Sequence, residues 1–422
     1  MRVALVHYAA TPIVGGVESV IAAHARLMAA DGHEVRIVAG RGGTHESASG
    51  GPSIGGPGSQ PASPVVVAVP LVDPVHERVV AIQLELSAGR VSDSFEALVA
   101  ELRGELASAL AGADVVIAHN VCSLSLNLAL TAALRELLDD ASSRGGPRFV
   151  LWHHDLAATQ PDYRTGLHDG RPWSLLREAW PGVRQVVVSQ RRREELAGLT
   201  GLSLEAISVV PNGIDIGRAW GLAPRANALR ARVAERGVEL LVLVPARITP
   251  RKNIELALEI VAALRRAGSP AGLIVTGPVD PHRPGERVYL ERLLQLRAGL
   301  GLDDVAWLLA IEPDGPVPDE LVDDLFRMAD LLLMPSRDEG FGLPVLEAGA
   351  SRLPIACSDL PTLRELAGED ALYFGIDDDP TVIAARIRSW LDADPAWRLA
   401  RRVRLEYAWE HIYRSHVAPL LD

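Results

Sequence analysis

The sequence predicts an α/β protein of two domains, each organised around a parallel sheet. Three observations predict it. At 422 residues the chain is too long for one ordinary hydrophobic core. Short apolar runs alternate with helix-patterned segments from the first residues onward. The alternation breaks once, in a polar stretch after Pro211-Asn212-Gly213, and then begins again.

The elements follow in order. Residues 2–8 read as a buried strand, 17–30 place apolar residues at helical spacing, Asp31-Gly32 stops that helix, and 34–39 are the next strand. A βαβ opening of this kind implies parallel pairing through a right-handed crossover. Residues 40–64 are rich in Gly, Ser and Pro and carry almost nothing apolar. Such a segment cannot bury enough surface to offset its ordering entropy, so a flexible loop is expected there. Strand-like runs resume at 65–69, 114–118, 148–152, 185–188 and 207–210, and the Pro-Asn-Gly of 211–215 is turn chemistry. A second series runs through 239–245, 272–276, 304–309, 331–334, 354–357 and 371–373. The expected domains are therefore 1–215 and 216–400, with a helix-patterned, aromatic-rich tail at 401–422.

Composition removes several function classes. A formal net charge of -12 lacks the basic footprint that a general nucleic-acid binder needs. Cys122 and Cys357 are the only cysteines and lie far apart, which gives no metal-ligand spacing and no disulfide framework and suits a reducing compartment. The chain opens directly on a strand, with no signal-peptide pattern and no run of 18 apolar residues, so a cytoplasmic protein without an integral membrane segment is expected.

Four constellations carry chemistry. Gly15-Gly16, with Glu18, separates the first strand from the first helix, where backbone N–H groups and the positive helix end suit a phosphate. It is not the GxGxxG pattern of dinucleotide sites. Arg247 and Lys252 follow a strand of the second series, and Lys252 is the sole lysine of a chain that otherwise uses arginine. Ligands of open α/β sheets bind beyond the carboxyl ends of strands, so two cations there suit a diphosphate. Glu339-Gly-Phe-Gly-Leu-Pro-Val-Leu-Glu347 wraps a loop into a helix start, with Pro344 in the first turn. Its carboxylates suit sugar and ribose hydroxyls, which they accept from strongly. His153-His154-Asp155 ends the strand FVLW, where histidine serves as acid, base or hydrogen-bond donor.

Taken together, the Gly15-Gly16 loop, His154-Asp155, VVPNGID (209–215), Arg247 with Lys252, and the Glu339–Glu347 pair resemble glycosyltransferase family 4, the group 1 glycosyl transferases, over nearly the whole chain. The resemblance implies a GT-B fold. Two Rossmann-like domains would face each other across a cleft, and the C-terminal helix would cross back to the N-terminal domain. It implies a retaining hexosyltransferase that uses a UDP- or GDP-linked sugar and a small soluble acceptor, glycosylglycerate-like or another sugar. His154, Arg247, Lys252 and Glu339 would be catalytic. Gly15, Gly16, Phe341, Gly342, Leu343 and Glu347 would hold the donor. Within the polar and aromatic stretch 156–182, Tyr163, Arg164 and Arg171, together with Asp155, are candidate acceptor contacts, with ordinary packing of Trp173 and Trp180 as the other reading. Family chemistry implies no required cofactor and magnesium as a stimulator at most. Asp377-Asp378-Asp379 looks like a donor-sugar metal motif but lies in a surface turn before Pro380, so no metal site is expected. A sugar phosphorylase, a nucleotide-sugar epimerase and a noncatalytic sugar- or nucleotide-binding subunit are the alternatives. The sole lysine lies in a phosphate-type turn, which counts against a pyridoxal-dependent phosphorylase.

Overall fold

The computed structural model describes every residue except 14, 44–62, 165, 280–283 and 312–316. It divides into two units, Met1–Gly213 with Trp409–Asp422, and Ile214–Ala408. Most of the 40–64 loop therefore lies outside the described residues, and residues 40 and 41 complete a strand instead.

The first unit is built on seven parallel strands: β1 (Arg2–Ala9), β2 (Glu34–Arg41), β3 (Val65–Ala68), β4 (Val115–His119), β5 (Arg148–His153), β6 (Arg184–Val187) and β7 (Ile207–Val209). Their spatial order is β3-β2-β1-β4-β5-β6-β7. The chain steps outward from β1 to β3, then returns to place β4 on the other side of β1, with Val3 opposite both Val35 and Val115. Helices leave β1 and β4 in opposite directions, so the carboxyl ends of this pair form a switch point open to a ligand. Both faces of the sheet are covered, which is why β1 and β4 read as continuous apolar runs. One face packs on Phe95, Leu102 and Leu130 from the helices Asp93–Ala109 and Leu128–Arg144. The other packs on the helix Gly16–Ala30 and on Trp409, Ile412, Val417 and Leu421 of the tail. The Tyr413 hydroxyl donates to Asp31 Oδ2 at 2.8 Å and ties the tail to the end of that helix.

The second unit holds six parallel strands: β8 (Leu240–Val244), β9 (Ala271–Val275), β10 (Ala306–Leu308), β11 (Leu331–Met334), β12 (Ile355–Ser358) and β13 (Leu372–Phe374). Their order is β10-β9-β8-β11-β12-β13. The switch point now lies between β8 and β11, with Leu331 opposite Val242 and Leu332 opposite Leu243. The chain thus contains two Rossmann-like units, the components of the GT-B class. No helix among the described residues is long and apolar enough to cross a membrane.

The return of the tail to the first unit starts at Trp409 and not at 401. The helix Pro395–Glu406 stays with the second unit because Trp397 is in its core and because two arginines anchor it. Arg401 pairs with Glu239, and Arg404 Nη2 donates to Asp330 Oδ1 at 2.8 Å and to the Glu239 carbonyl at 2.7 Å. Asp330 also accepts from the Leu241 amide at 2.7 Å, at the start of β8. Burial pushes the Asp330 carboxyl up, and Arg404 opposes that shift. Removing one partner of a buried pair leaves an uncompensated charge. Arg404→Ala is therefore expected to cost about 3 kcal/mol in urea unfolding of the second unit. A cost under about 0.5 kcal/mol, the level of an exposed pair, would contradict the anchoring role.

Candidate functional site

In the second unit two loops leave the β8/β11 switch point and are stitched together. After β8 the chain runs through Arg247 and a short turn, Pro250–Lys252, into the helix Ile254–Arg266. After β11 it runs through Ser336 and Glu339 into the helix Leu343–Ala350. Arg251 donates to the Asp338 carbonyl at 2.7 Å, the Arg337 amide to the Arg251 carbonyl at 2.9 Å, and Arg337 Nη2 to Asn253 Oδ1 at 2.9 Å. Between the loops Lys252 Nζ meets Glu339 Oε1 at 2.5 Å, and Ser336 Oγ donates to the same oxygen at 2.7 Å. Arg251 Nη1 lies 3.6 Å from Glu339 Oε2. Thr362 Oγ1 holds the Glu339 carbonyl at 3.1 Å. The Glu339 side chain is 6% exposed and that of Lys252 14%, so the pair is largely shielded from water. Lys252, Ser336 and Glu339, together with Pro245, Ala246 and Pro344, line a small depression at the strand ends.

Arg247 stands at the same edge. It is exposed and has no ion-pair partner among the described residues. Its backbone is set by Gly277, just past β9. A Cβ there would lie 2.0 Å from the Ala246 carbonyl oxygen and 2.4 Å from the Arg247 Cα. Only glycine permits that approach.

Gly342 caps the helix Leu343–Ala350 at φ 95°, and a Cβ on it would lie 2.7 Å from Leu363 Cδ2. The turn leaves Phe341 and Leu343 more than half exposed, next to the free N–H groups of the helix start. Glu347 follows on the same helix, half-buried. Burial, then the nearby Asp323, raise its carboxyl above the usual range. Gly342→Ala is expected to destabilise the second unit by about 1–2 kcal/mol, through the left-handed φ and the contact with Leu363. Denaturation of wild type and variant checks this, and an unchanged midpoint would contradict it.

In the first unit the equivalent edge gathers histidines from separate strands. His7 lies on β1, His119 ends β4, His153 ends β5 and His154 follows it. His24 comes from the helix Gly16–Ala30. His7 Nδ1 donates to the His119 carbonyl at 2.8 Å, and its Nε2 is 3.8 Å from Glu18 Oε1. His119 Nδ1 and His154 Nε2 are 3.2 Å apart. His153 is drawn away, with Nε2 donating to Gln185 Oε1 at 2.7 Å. Asn120, at φ 61°, accepts from the amides of His154 at 2.7 Å and Asp155 at 3.1 Å, and so fixes the chain beyond β5. Burial holds His153 and His154 at about 4 and His24 at about 3, and lowers His7 and His119 as well. Gly15 caps the helix Gly16–Ala30 in extended backbone, with the Glu18 carboxylate folded back beside it.

Residues 14–218 match the family model described as Glycosyltransferase Family 4, and residues 226–408 match the one described as Glycosyl transferases group 1. The chain belongs to glycosyltransferase family 4. A D-inositol 3-phosphate glycosyltransferase of Kineococcus radiotolerans is 31% identical over 234 residues, 52% of this chain and 52% of that protein. The protein of the same description from Geodermatophilus obscurus is 33% identical over 225 residues, 50% of this chain and 46% of that protein. The chain spans about half the length of these curated relatives. A solved glycosyltransferase from Rickettsia africae ESF-5 aligns over 99% of this chain and 97% of its own, at 13% identity and a TM-score of 0.37.

Other residues singled out in this family member find varied surroundings. Asp155 accepts from Gln160 at 2.7 Å and from Arg192 at 3.1 Å. Tyr163 packs in part against the core, and Arg164 is exposed. Arg171 is taken by Glu136 at 3.1 Å, and Trp173 and Trp180 are core residues, so that part of 156–182 follows the packing reading. Asp378 accepts from the Gly375 amide, and Asp379 caps the helix Pro380–Ala393. Sequence reading missed His7, His24, His119, Asn120, Arg251 and Ser336 as parts of these edges. The available signal was a polar residue at the end of an apolar strand, which His119-Asn120 and Ser336 both show.

Proposed function

We propose that this family 4 member is a retaining hexosyltransferase. It would take its sugar from a UDP- or GDP-linked donor and pass it to a small soluble sugar or polyol acceptor, of the kind named for the Kineococcus relative. The observation that carries this reading is the placement of Arg247, Lys252 and Glu339 where β8 and β11 diverge. In the reaction the bond from the anomeric carbon to the diphosphate oxygen breaks and the bond to the acceptor oxygen forms. The acceptor's proton passes to the leaving phosphate. Arg247 and Lys252 neutralise the departing charge, which is the main electrostatic task. Glu339 positions Lys252 and lies beside the donor sugar. Glu347 accepts from the ribose hydroxyls, and the amides of Phe341, Gly342 and Leu343 face the sugar and phosphates. In the first unit Gly15 and Gly16 offer amides to a phosphate, and His154 donates to the sugar. Asp155, Tyr163 and Arg164 are assigned to the acceptor. Two protein cations already serve the diphosphate, so magnesium acts as a stimulator at most.

The test is product analysis with UDP- and GDP-linked hexoses and a set of sugar and polyol phosphates. Nucleoside diphosphate should appear in equal amount with glycosylated acceptor, only when acceptor is present, with the anomeric configuration kept. Sugar phosphate formed with inorganic phosphate would instead identify a phosphorylase. An epimerised sugar formed without acceptor would identify an epimerase.

A further inference from the structure

We infer that His119 is a positioning residue that fixes the tautomer of His154, so that His154 presents an Nδ1–H donor to its ligand. The inference rests on the proposed role of His154 for its functional meaning, and on geometry for the tautomer. His119 Nδ1 and His154 Nε2 are 3.2 Å apart, so one carries the proton and the other accepts it. Burial lowers the basicity of both rings, which leaves one proton on each.

Two arrangements exist. If His154 Nε2–H donates, His119 must carry its own proton on Nε2. That atom is buried and has no hydrogen-bond partner. The His24 ring beside it forms no hydrogen bond at either nitrogen, and Trp152 packs against both rings without accepting. An N–H would be orphaned in a fully buried site. If His119 Nδ1–H donates instead, the orphaned atom is a bare acceptor nitrogen. Buried structures tolerate unsatisfied acceptors better than unsatisfied donors. The single proton of His154 then sits on Nδ1. That nitrogen has no partner among the described residues, yet it is not among the buried unpaired atoms, so it reaches solvent. The Asn120 side-chain amide oxygen accepts from the His154 backbone N–H at 2.7 Å and so fixes the backbone that carries the ring.

The test is histidine tautomer assignment by two-bond 15N–1H correlation on the full chain, with His154→Gln identifying the resonance. Wild type should show His154 as the Nδ1–H form. His119→Leu removes the hydrogen bond that selects the form, so His154 should lose its single tautomer and the Nε2–H form should become populated beside Nδ1–H. His119→Asn places an amide N–H where Nδ1–H was and should keep the Nδ1–H form. Transfer kcat/KM is expected to fall about tenfold in His119→Leu and to recover within about threefold in His119→Asn, the size of one hydrogen bond. A wild-type His154 in the Nε2–H form, or a tautomer unmoved by His119→Leu, overturns the inference. Failure to find transfer with any donor, beside the expected tautomers, counts against the proposed function and leaves the positioning of His154 standing.

Discussion

Lys252→Ala is expected to lower kcat/KM for transfer about 100-fold, the cost of one donor to developing charge in a preorganised site. It removes one of the two cations proposed to hold the diphosphate and leaves the Glu339 carboxylate, 6% exposed, facing Arg251 at 3.6 Å and Ser336 at 2.7 Å. Breaking a shielded pair also destabilises, by about 3 kcal/mol in a well-buried case. Activity and folding losses must therefore be separated. The double variant Lys252→Met with Glu339→Gln removes both charges and should recover most of the stability. Its affinity for nucleoside diphosphate should stay low, because the cation is still missing. Steady-state kinetics with thermal unfolding of the three proteins checks this. A single variant that keeps wild-type kcat/KM would remove Lys252 from the chemistry.

Acid is expected to destabilise the first unit well before its carboxylates protonate. His24, His153 and His154 have pKa values of about 3, 4 and 4 in the folded protein, lowered first by burial. The same groups titrate near 6.5 when unfolded. Below that value the unfolded chain takes up protons that the folded chain refuses, so stability falls as pH falls. The loss sets in near pH 6.5 and continues to about pH 4. Each group contributes about 1.4 kcal/mol per pH unit, so these three give about 4 kcal/mol per unit near pH 5. His7 and His119 shift in the same direction and add to it. Denaturant unfolding of the first unit at pH 6.5, 6 and 5 measures the slope. His24→Leu should reduce it by about one proton's share. A flat profile between pH 6.5 and 5 would show that these imidazoles are not held neutral.

The architecture was legible because it rests on local pattern. The thirteen strands among the described residues lie within two residues of the apolar runs that suggested them. Fully covered parallel strands have to be continuously apolar, and that signal survives without knowledge of the partners. The second edge was legible because Lys252 is unique and Glu339 sits in a dense Gly and Pro setting. The histidine edge was not. His7, His119 and His154 are separated by 112 and 35 residues and meet only because β1, β4 and β5 are neighbours in the sheet. Strand order comes from long-range pairing, which no local window contains. The tail boundary was misplaced for a similar reason. Residues 401–408 look like the rest of the aromatic tail, but Arg401 and Arg404 find their partners at Glu239 and Asp330, more than 70 residues away.

The most direct measurement is calorimetric titration of wild type and of the Lys252→Met, Glu339→Gln double variant with UDP, GDP, ADP and dTDP. One diphosphate should bind wild type clearly more tightly than the others and lose most of that affinity in the folded double variant. Such a result would place the diphosphate at the β8/β11 edge and name the base. If no diphosphate binds folded wild type, or if the double variant binds equally well, the diphosphate site does not lie at Arg247, Lys252 and Glu339.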